Sequence, residues 1–320
     1  MKLSRRKNPS STPVGPWIPI AIALLVGALL GRLSLESGSS LESHPLLVGH
    51  EASSAMSGLA RSSESFLTTV KYLYGKYGKE IADFRPEMRT WCQKTNSCKF
   101  TDLEAEMLYM LVREEKPQRV FEMAPNKGYS SHWILHALHL NDETSRLDSF
   151  DLHDASVKPM KDSFRARWKF TQGDYEELLA QGVLDMSHYD FIFIDALHTE
   201  EFSRGYCQKI LNRHAKRGTT VAIHDIVADE LGGGRESAEV YRFMAFAATR
   251  ISHVFTMSRY LMTSLNFPLE HAVQKINEIR ASHGIIKPCQ KGDCSDPLYD
   301  VLYFVNGDAP TIFFKLDPPL

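Results

Sequence analysis

No run of basic residues occurs in this sequence after its first seven positions, and its 37 lysines and arginines are balanced by 39 acidic residues. A surface that meets nucleic acid carries a positive excess, so neither DNA nor RNA is expected as a partner. Glycine-rich nucleotide loops are also lacking. No Gly-x-Gly-x-x-Gly is present, which argues against close backbone approach to a pyrophosphate and so against a nicotinamide dinucleotide. There is no usable N-glycosylation sequon, since Asn8 is followed by Pro9. Cysteine is scarce, with five in 320 residues. Four form two short-range pairs, Cys92 with Cys98 and Cys289 with Cys294, and Cys207 is left over, expected to be buried and inert on a helix.

Charge is missing altogether between Lys7 and Arg32. An uncharged stretch of that length can span the hydrocarbon core of a bilayer, which needs roughly 20 residues. The basic cluster MKLSRRK precedes it, so the positive-inside bias places the N-terminus in the cytoplasm. The expected organisation is a cytoplasmic tail at 1–13, a transmembrane signal-anchor at 14–33, a Ser-rich stem with a helix at 34–83, and a folded domain at 84–320. That describes a single-pass type II membrane protein with its domain in the Golgi or ER lumen. The alternative is secretion after signal cleavage, because the strongly apolar core from Ile18 to Leu30 is short. In either case the two cysteine pairs read as disulfides of an oxidising compartment, with a zinc site as the competing reading. Within the stem, SFLTTVKYLYGKYGKEI sets Phe66, Val70, Leu73 and Tyr77 on one helical side.

From residue 84 onward helices and strands alternate. TDLEAEMLYMLVREEK carries a capping residue before an apolar-periodic run and predicts a helix. RVFEM, RLDSFDL, KFTQGD, YDFIFID and TTVAIHD predict strands, separated by helices that include Tyr175 to Gln181 and Glu200 to His214. VADELGGGRESAEVY predicts a flexible loop beside the site. VLYFVNGDAPTIFFKL predicts a hairpin around Asn306-Gly307-Asp308. The fold class is therefore α/β: a doubly wound, Rossmann-like, mostly parallel sheet with a C-terminal antiparallel hairpin.

In such a sheet a ligand lies beyond the carboxyl ends of the strands, near the topological switch point. Five consecutive strands end in an acidic residue there: Glu122, Asp151, Asp174, Asp195 and, after His224, Asp225. Any one alone reads as a solvated loop carboxylate or a helix cap. An acid after the second strand suits a ribose, whose paired hydroxyls donate to one carboxylate. Between the first strand and its helix runs MAPNKG, in which Gly128 lets backbone approach a ligand closely. This loop suits a cofactor that has an adenosine but no phosphates.

Glu122-Met-Ala-Pro-Asn-Lys-Gly128-Tyr-Ser130, Asp151 in LDSFDLHD, FIDALHTEEF and the later TTVAIHDI together resemble a class I S-adenosylmethionine-dependent methyltransferase. The subgroup they resemble is that of metal-assisted sugar and macrolide O-methyltransferases, over roughly residues 100 to 260. The resemblance implies S-adenosylmethionine bound by Glu122, Ala124, Gly128, Ser130, Asp151 and Asp174. It implies Mg²⁺ or Mn²⁺ held by Asp195, Asp225 and His224, and His198 as the general base that takes the acceptor's proton. The expected acceptor is a hydroxyl of a sugar or glycan, with a small phenolic or secondary metabolite as the variant. A binding protein that kept the fold and lost the cofactor is the rival expectation. Ala124 stands where the family's first loop glycine stands, and a methyl group fits there if the backbone torsions are ordinary but not if φ must be positive.

Overall fold

The computed structural model describes residues 63–95, 101–154, 161–214, 216–226, 239–240, 242–244, 246–247, 249–256, 269–286 and 311–318. All of them belong to one compact unit, His44–Leu320; the other unit, Met1–Ser43, lies outside the described residues, as does the expected transmembrane segment. Among the described residues no helix is long and apolar enough to cross a membrane.

The elements follow the alternation read from the sequence. Helix α1 (Ser63–Thr95) and α2 (Asp102–Glu115) precede β1 (Arg119–Met123), α3 (Tyr129–Asn141), β2 (Arg146–Asp151), the single turn α4 (Asp162–Arg165) and β3 (Trp168–Gln172). Next come α5 (Tyr175–Ala180), β4 (Phe191–Ile194), α6 (Glu200–Tyr206), β5 (Thr219–Ile223), β6 (Ile251–Thr256), α7 (Leu269–Ser282) and β7 (Ile312–Leu316). Helix α6 continues through a π-helical stretch, Cys207–Leu211, into a last turn at Asn212–His214, and Cys207 is buried on it as expected. The start of α2 is a capping box. Thr101 Oγ1 accepts from the Glu104 amide, and the Glu104 carboxylate accepts from the Thr101 amide.

The described sheet has seven strands in the order β3-β2-β1-β4-β5-β7-β6. The first five are parallel, and the chain reverses its direction of travel across the sheet between β1 and β4. That is the switch point. Strand β7 is antiparallel to both β5 and β6. IFFKL is a strand as expected, and both of its edges are taken by partners distant in sequence, β5 and β6. The other arm of the expected hairpin and the loop at 227–238 lie outside the described residues. Strand β6, with alternation too short to single out in the sequence, was not anticipated.

The helix from the stem is part of the folded core. It runs unbroken from Ser63 to Thr95, and Val70, Leu73, Tyr74, Tyr77, Ile81, Phe84 and Met88 are buried with the apolar faces of α2 and α3. Burial of such side chains contributes roughly 1.5–3 kcal/mol each. His136 of α3 stacks on Phe84 of α1, with ring centroids 3.7 Å apart and planes 8° off parallel. Burial, and after it the charges of Lys161 and His139, lower its pKa to about 4. The neutral ring therefore imposes no penalty above about pH 6.5, where the unfolded chain is also neutral. Below that pH the unfolded chain takes up a proton that the folded one refuses, and stability falls until about pH 4. Compared with wild type, His136→Phe should remove up to about 3 kcal/mol of this acid-induced loss across that window, read from urea midpoints at a series of pH values.

Candidate active site

Sheet register alone gathers the site. Met123 pairs with Phe150 on one side and Ile194 on the other, and Ile194 pairs with Ile223. The next residue of each strand, Ala124, Asp151, Asp195 and His224, therefore falls in one row at the carboxyl rim. The ladder confirms the row: the amides of Ala124, Asp195 and His224 donate to Phe150, Met123 and Ile194. These residues straddle the switch point between β1 and β4, where open α/β sheets take ligands.

Three positions in and around the loop after β1 adopt left-handed backbone. Ala124 has φ 59°, Asn126 φ 49° and Gly128 φ 90°. Ala124 therefore fails the condition of ordinary torsions: the loop keeps the conformation that favours glycine although an alanine occupies it. The left-handed region costs an L-residue with a Cβ roughly 1–2 kcal/mol. Ala124→Gly should raise stability by about 0.5–1 kcal/mol once the extra freedom of an unfolded glycine is deducted. A denaturant midpoint that falls instead would show that the alanine methyl packs usefully in the loop. Gly128 forms the N-cap of α3, which has no side-chain cap.

Glu122 does not reach the rim surface. It is fully buried and accepts hydrogen bonds from the hydroxyls of Ser130 at 2.7 Å, Ser131 at 2.7 Å and Ser149 at 2.5 Å. Burial, opposed by these three donors and reinforced by the charge of Asp195, pushes its carboxyl above the usual range. Glu122 and Ser130 thus brace the start of α3 against β2 from below the rim, a role for which the sequence pattern had suggested cofactor contact. Asp174 behaves as a helix cap, its Oδ1 accepting from the amides of Glu176 and Glu177 at the start of α5. Asp151 is partly exposed at the end of β2, and its Oδ1 accepts from the His153 amide at 3.1 Å.

The remaining predicted residues converge. His224 Nδ1 lies 3.2 Å from Asp195 Oδ1 and 3.4 Å from Asp225 Oδ2, and His198 Nε2 lies 3.3 Å from Asp225 Oδ2. Ligand atoms of Asp195, His224 and Asp225 all lie within 4.8 Å of one another, a donor set able to hold a cation. Asp225 has φ 57°, a conformation that aspartate tolerates better than most residues and that often marks functional positions. Asp195, Asp225 and His198 are accessible, whereas His224 is buried. Burial opposes charge on His224, but the carboxylates of Glu104 and Asp195 outweigh it and hold the imidazole well above the usual histidine range. Burial raises the Asp225 carboxyl, while His224 and His198 pull it down.

One member was missed. Glu104, the capping-box glutamate of α2, places Oε2 3.5 Å from His224 Nε2. Its only trace in the sequence was the cap motif, which says nothing of what else a carboxylate touches. Of the five strand-end acids, then, Asp195 and Asp225 share one cluster, Asp151 stands on the same rim, Glu122 is buried among three serine hydroxyls and Asp174 caps α5.

Residues 125–226, from the loop after β1 to just beyond β5, match a family described as "Methyltransferase domain". That span of the chain is similar to a methyltransferase domain. The class I, S-adenosylmethionine-dependent recognition made from the sequence agrees with that match. No curated protein sequence matches the chain. Among solved structures, the domain is similar to an O-methyltransferase from Bacillus cereus in complex with SAH, at 18% identity, over 54% of this chain and 82% of that one, with a TM-score of 0.43. It is also similar to the O-methyltransferase TomG from Streptomyces achromogenes in complex with SAM, at 16% identity over 53% and 79% of the two chains, with a TM-score of 0.42. An SAH-bound Podospora anserina methyltransferase is similar at 14% identity over 87% and 100%, with a TM-score of 0.38. The matched span of the methyltransferase domain contains every residue of the cluster except Glu104.

Proposed function

We propose that this chain is an S-adenosylmethionine-dependent O-methyltransferase, assisted by Mg²⁺ or Mn²⁺, that acts on a hydroxyl of a sugar or glycan. The observation that carries the reading is the convergence of Asp195, His198, His224 and Asp225 at the switch point. Two carboxylates and one imidazole nitrogen form an oxygen-rich donor set that fits a hard divalent cation. Such a cation would stabilise an acceptor hydroxyl in its ionised form, and S-adenosylmethionine supplies a methyl group on a sulfonium centre.

The chain's own residues do the rest. Asp151 is placed to accept from the paired hydroxyls of a ribose. His198, donating through Nε2 to Asp225, keeps Nδ1 as the atom that takes the acceptor's proton, and Asp225 stabilises the resulting imidazolium. With the cofactor bound, its methyl group would pass to the acceptor oxygen as the carbon–sulfur bond breaks and S-adenosylhomocysteine leaves, a reaction in which these residues contribute mainly orientation.

The same reading places the domain in the lumen of the secretory pathway, behind a membrane anchor at 14–33, with Cys92 joined to Cys98 and Cys289 to Cys294. The uncharged span, the basic cluster before it and the short cysteine spacings support this arrangement. The glycan acceptor follows from that compartment.

The test is calorimetric titration of the full-length chain with S-adenosylmethionine, beside Asp151→Ala. Binding that weakens at least tenfold in the variant supports the cofactor site. No binding by folded wild-type protein would replace the enzyme by a non-catalytic binding protein of the same fold.

A further inference from the structure

Glu104 does more than a helix cap requires. A capping glutamate normally sits at the surface, yet Glu104 is 1% exposed and its two oxygens accept from residues at opposite ends of the domain's sequence. Oε2 accepts from the Thr101 amide at 3.2 Å and the Thr101 hydroxyl at 2.8 Å, and Oε1 accepts from the Thr311 amide at 3.0 Å and hydroxyl at 2.6 Å. Thr311 directly precedes β7, so these bonds tie α2 to the strand beside β5. The carboxylate is thereby locked in place, and against it rests His224 Nε2. The opposite ring nitrogen faces Asp195 and Asp225.

We propose that Glu104 is a positioning residue for the cation site: it accepts the proton carried by His224 Nε2 and so keeps Nδ1 turned, as a lone-pair donor, towards Asp195 and Asp225. A neutral histidine offers only one nitrogen as a ligand, and which one is decided by the hydrogen bond that the other makes. An anion fixed by four donors is a one-way acceptor, so when a cation occupies the site and takes the Nδ1 lone pair, the remaining ring proton sits on Nε2 facing Glu104. Burial adds to the selection, because a carboxylate at this depth without a donor is strongly unfavourable. The inference rests on the metal-assisted reading of the site, and it assigns a second role to a residue 120 positions from its partner in sequence (Glu104 to His224).

The test is Mn²⁺ binding to the full-length chain, followed by the electron paramagnetic resonance signal of free Mn²⁺, for wild type, Glu104→Gln and Thr101→Ala. Glutamine keeps the shape of the side chain but turns one of the two accepting oxygens into a donor, so an amide NH2 at the Oε2 position meets His224 Nε2–H and the Thr101 amide where each needs an acceptor. The affinity of Glu104→Gln should fall about 10–100-fold, whereas Thr101→Ala, which removes a capping donor and leaves the carboxylate, should bind within about threefold of wild type. Nitrogen-15 NMR of the Mg²⁺-loaded protein supplies a readout that a purely structural role would not move: His224 should carry its proton on Nε2 in wild type and lose that signature in Glu104→Gln. If Glu104→Gln fails to fold, Glu104→Asp, which withdraws the oxygens from Nε2 but keeps the charge, is read in the same way. Equal Mn²⁺ affinity in wild type and Glu104→Gln overturns the proposal alone. Absence of Mn²⁺ binding by wild type overturns the metal-assisted reading and this inference with it, while S-adenosylmethionine binding tests the methyltransferase reading separately.

Discussion

His198→Ala should lower kcat for methyl transfer by about 10²–10⁴-fold, the usual contribution of a positioned general base. The affinity for S-adenosylmethionine should stay within about twofold, because on the proposed reading His198 serves the acceptor through its contact with Asp225. His198→Gln should be as slow as His198→Ala, since an amide can hold the hydrogen bond to Asp225 but cannot take a proton. A loss of less than tenfold in both variants would remove His198 from proton transfer and leave it as a neighbour that orients Asp225. Steady-state rates with a saturating acceptor, together with cofactor titration, separate these outcomes. The acceptor itself must first be found among hydroxylated sugars and glycans, with and without added Mg²⁺.

A second large effect is expected far from the rim. Glu106 of α2 is fully buried and accepts from the Tyr74 hydroxyl at 2.6 Å, from Arg280 Nε at 2.8 Å and from Arg280 Nη2 at 2.6 Å. Arg85 Nε approaches it at 3.4 Å, and both arginines are themselves 1–2% exposed. Arg85 also bonds Asp102 and the carbonyl of Ile285. This network stitches α1 and α7 to α2. Glu106→Ala should destabilise the domain by about 3–5 kcal/mol, because it takes from the buried Arg280 guanidinium the carboxylate that accepts two of its bonds, while Arg85 keeps Asp102. Much of that cost is the uncompensated charge rather than the value of the pair. Replacing Glu106, Arg85 and Arg280 together by apolar residues of similar volume should therefore recover most of it. Urea unfolding of the single and triple variants checks both statements, and a single variant losing less than about 1 kcal/mol would mean that water reaches the network.

The contrast between these two sites shows what a sequence discloses. His198, Asp195, His224 and Asp225 could be named in advance because each sits at a fixed offset from the end of an apolar strand, and strand ends are local events. Parallel pairing then brings those ends into one row wherever the register holds, while their joint role with His198 was implied by the resemblance of FIDALHTEEF and TTVAIHDI to methyltransferase motifs. Thr101 and Glu104 were legible as a cap for the same reason, with partners three residues apart. The apolar side of α1 also showed itself, although not the surface against which it packs.

Other features were decided only by tertiary structure. Strand β7 lies between β5 and β6, a choice set by which sheet edges the intervening chain can reach and cover. Glu122 looked like a ligand contact and proved to be a buried brace, because which face of β1 meets α3 depends on how the helix packs. The left-handed torsion of Ala124 is imposed by the turn joining β1 to α3, and an alanine in that position gives no sign of it. Glu106 and Arg280 are partners across 174 residues, and Glu104 and His224 across 120. The alternation of helices and strands and the residues at the strand ends belonged to the sequence, because propensity and burial period act over a few neighbours. The charge state, direction and partner of each buried carboxylate belonged to the folded structure, because electrostatic energy depends on distance in space and on the exclusion of water, neither of which exists until the sheet and its helices have closed over them.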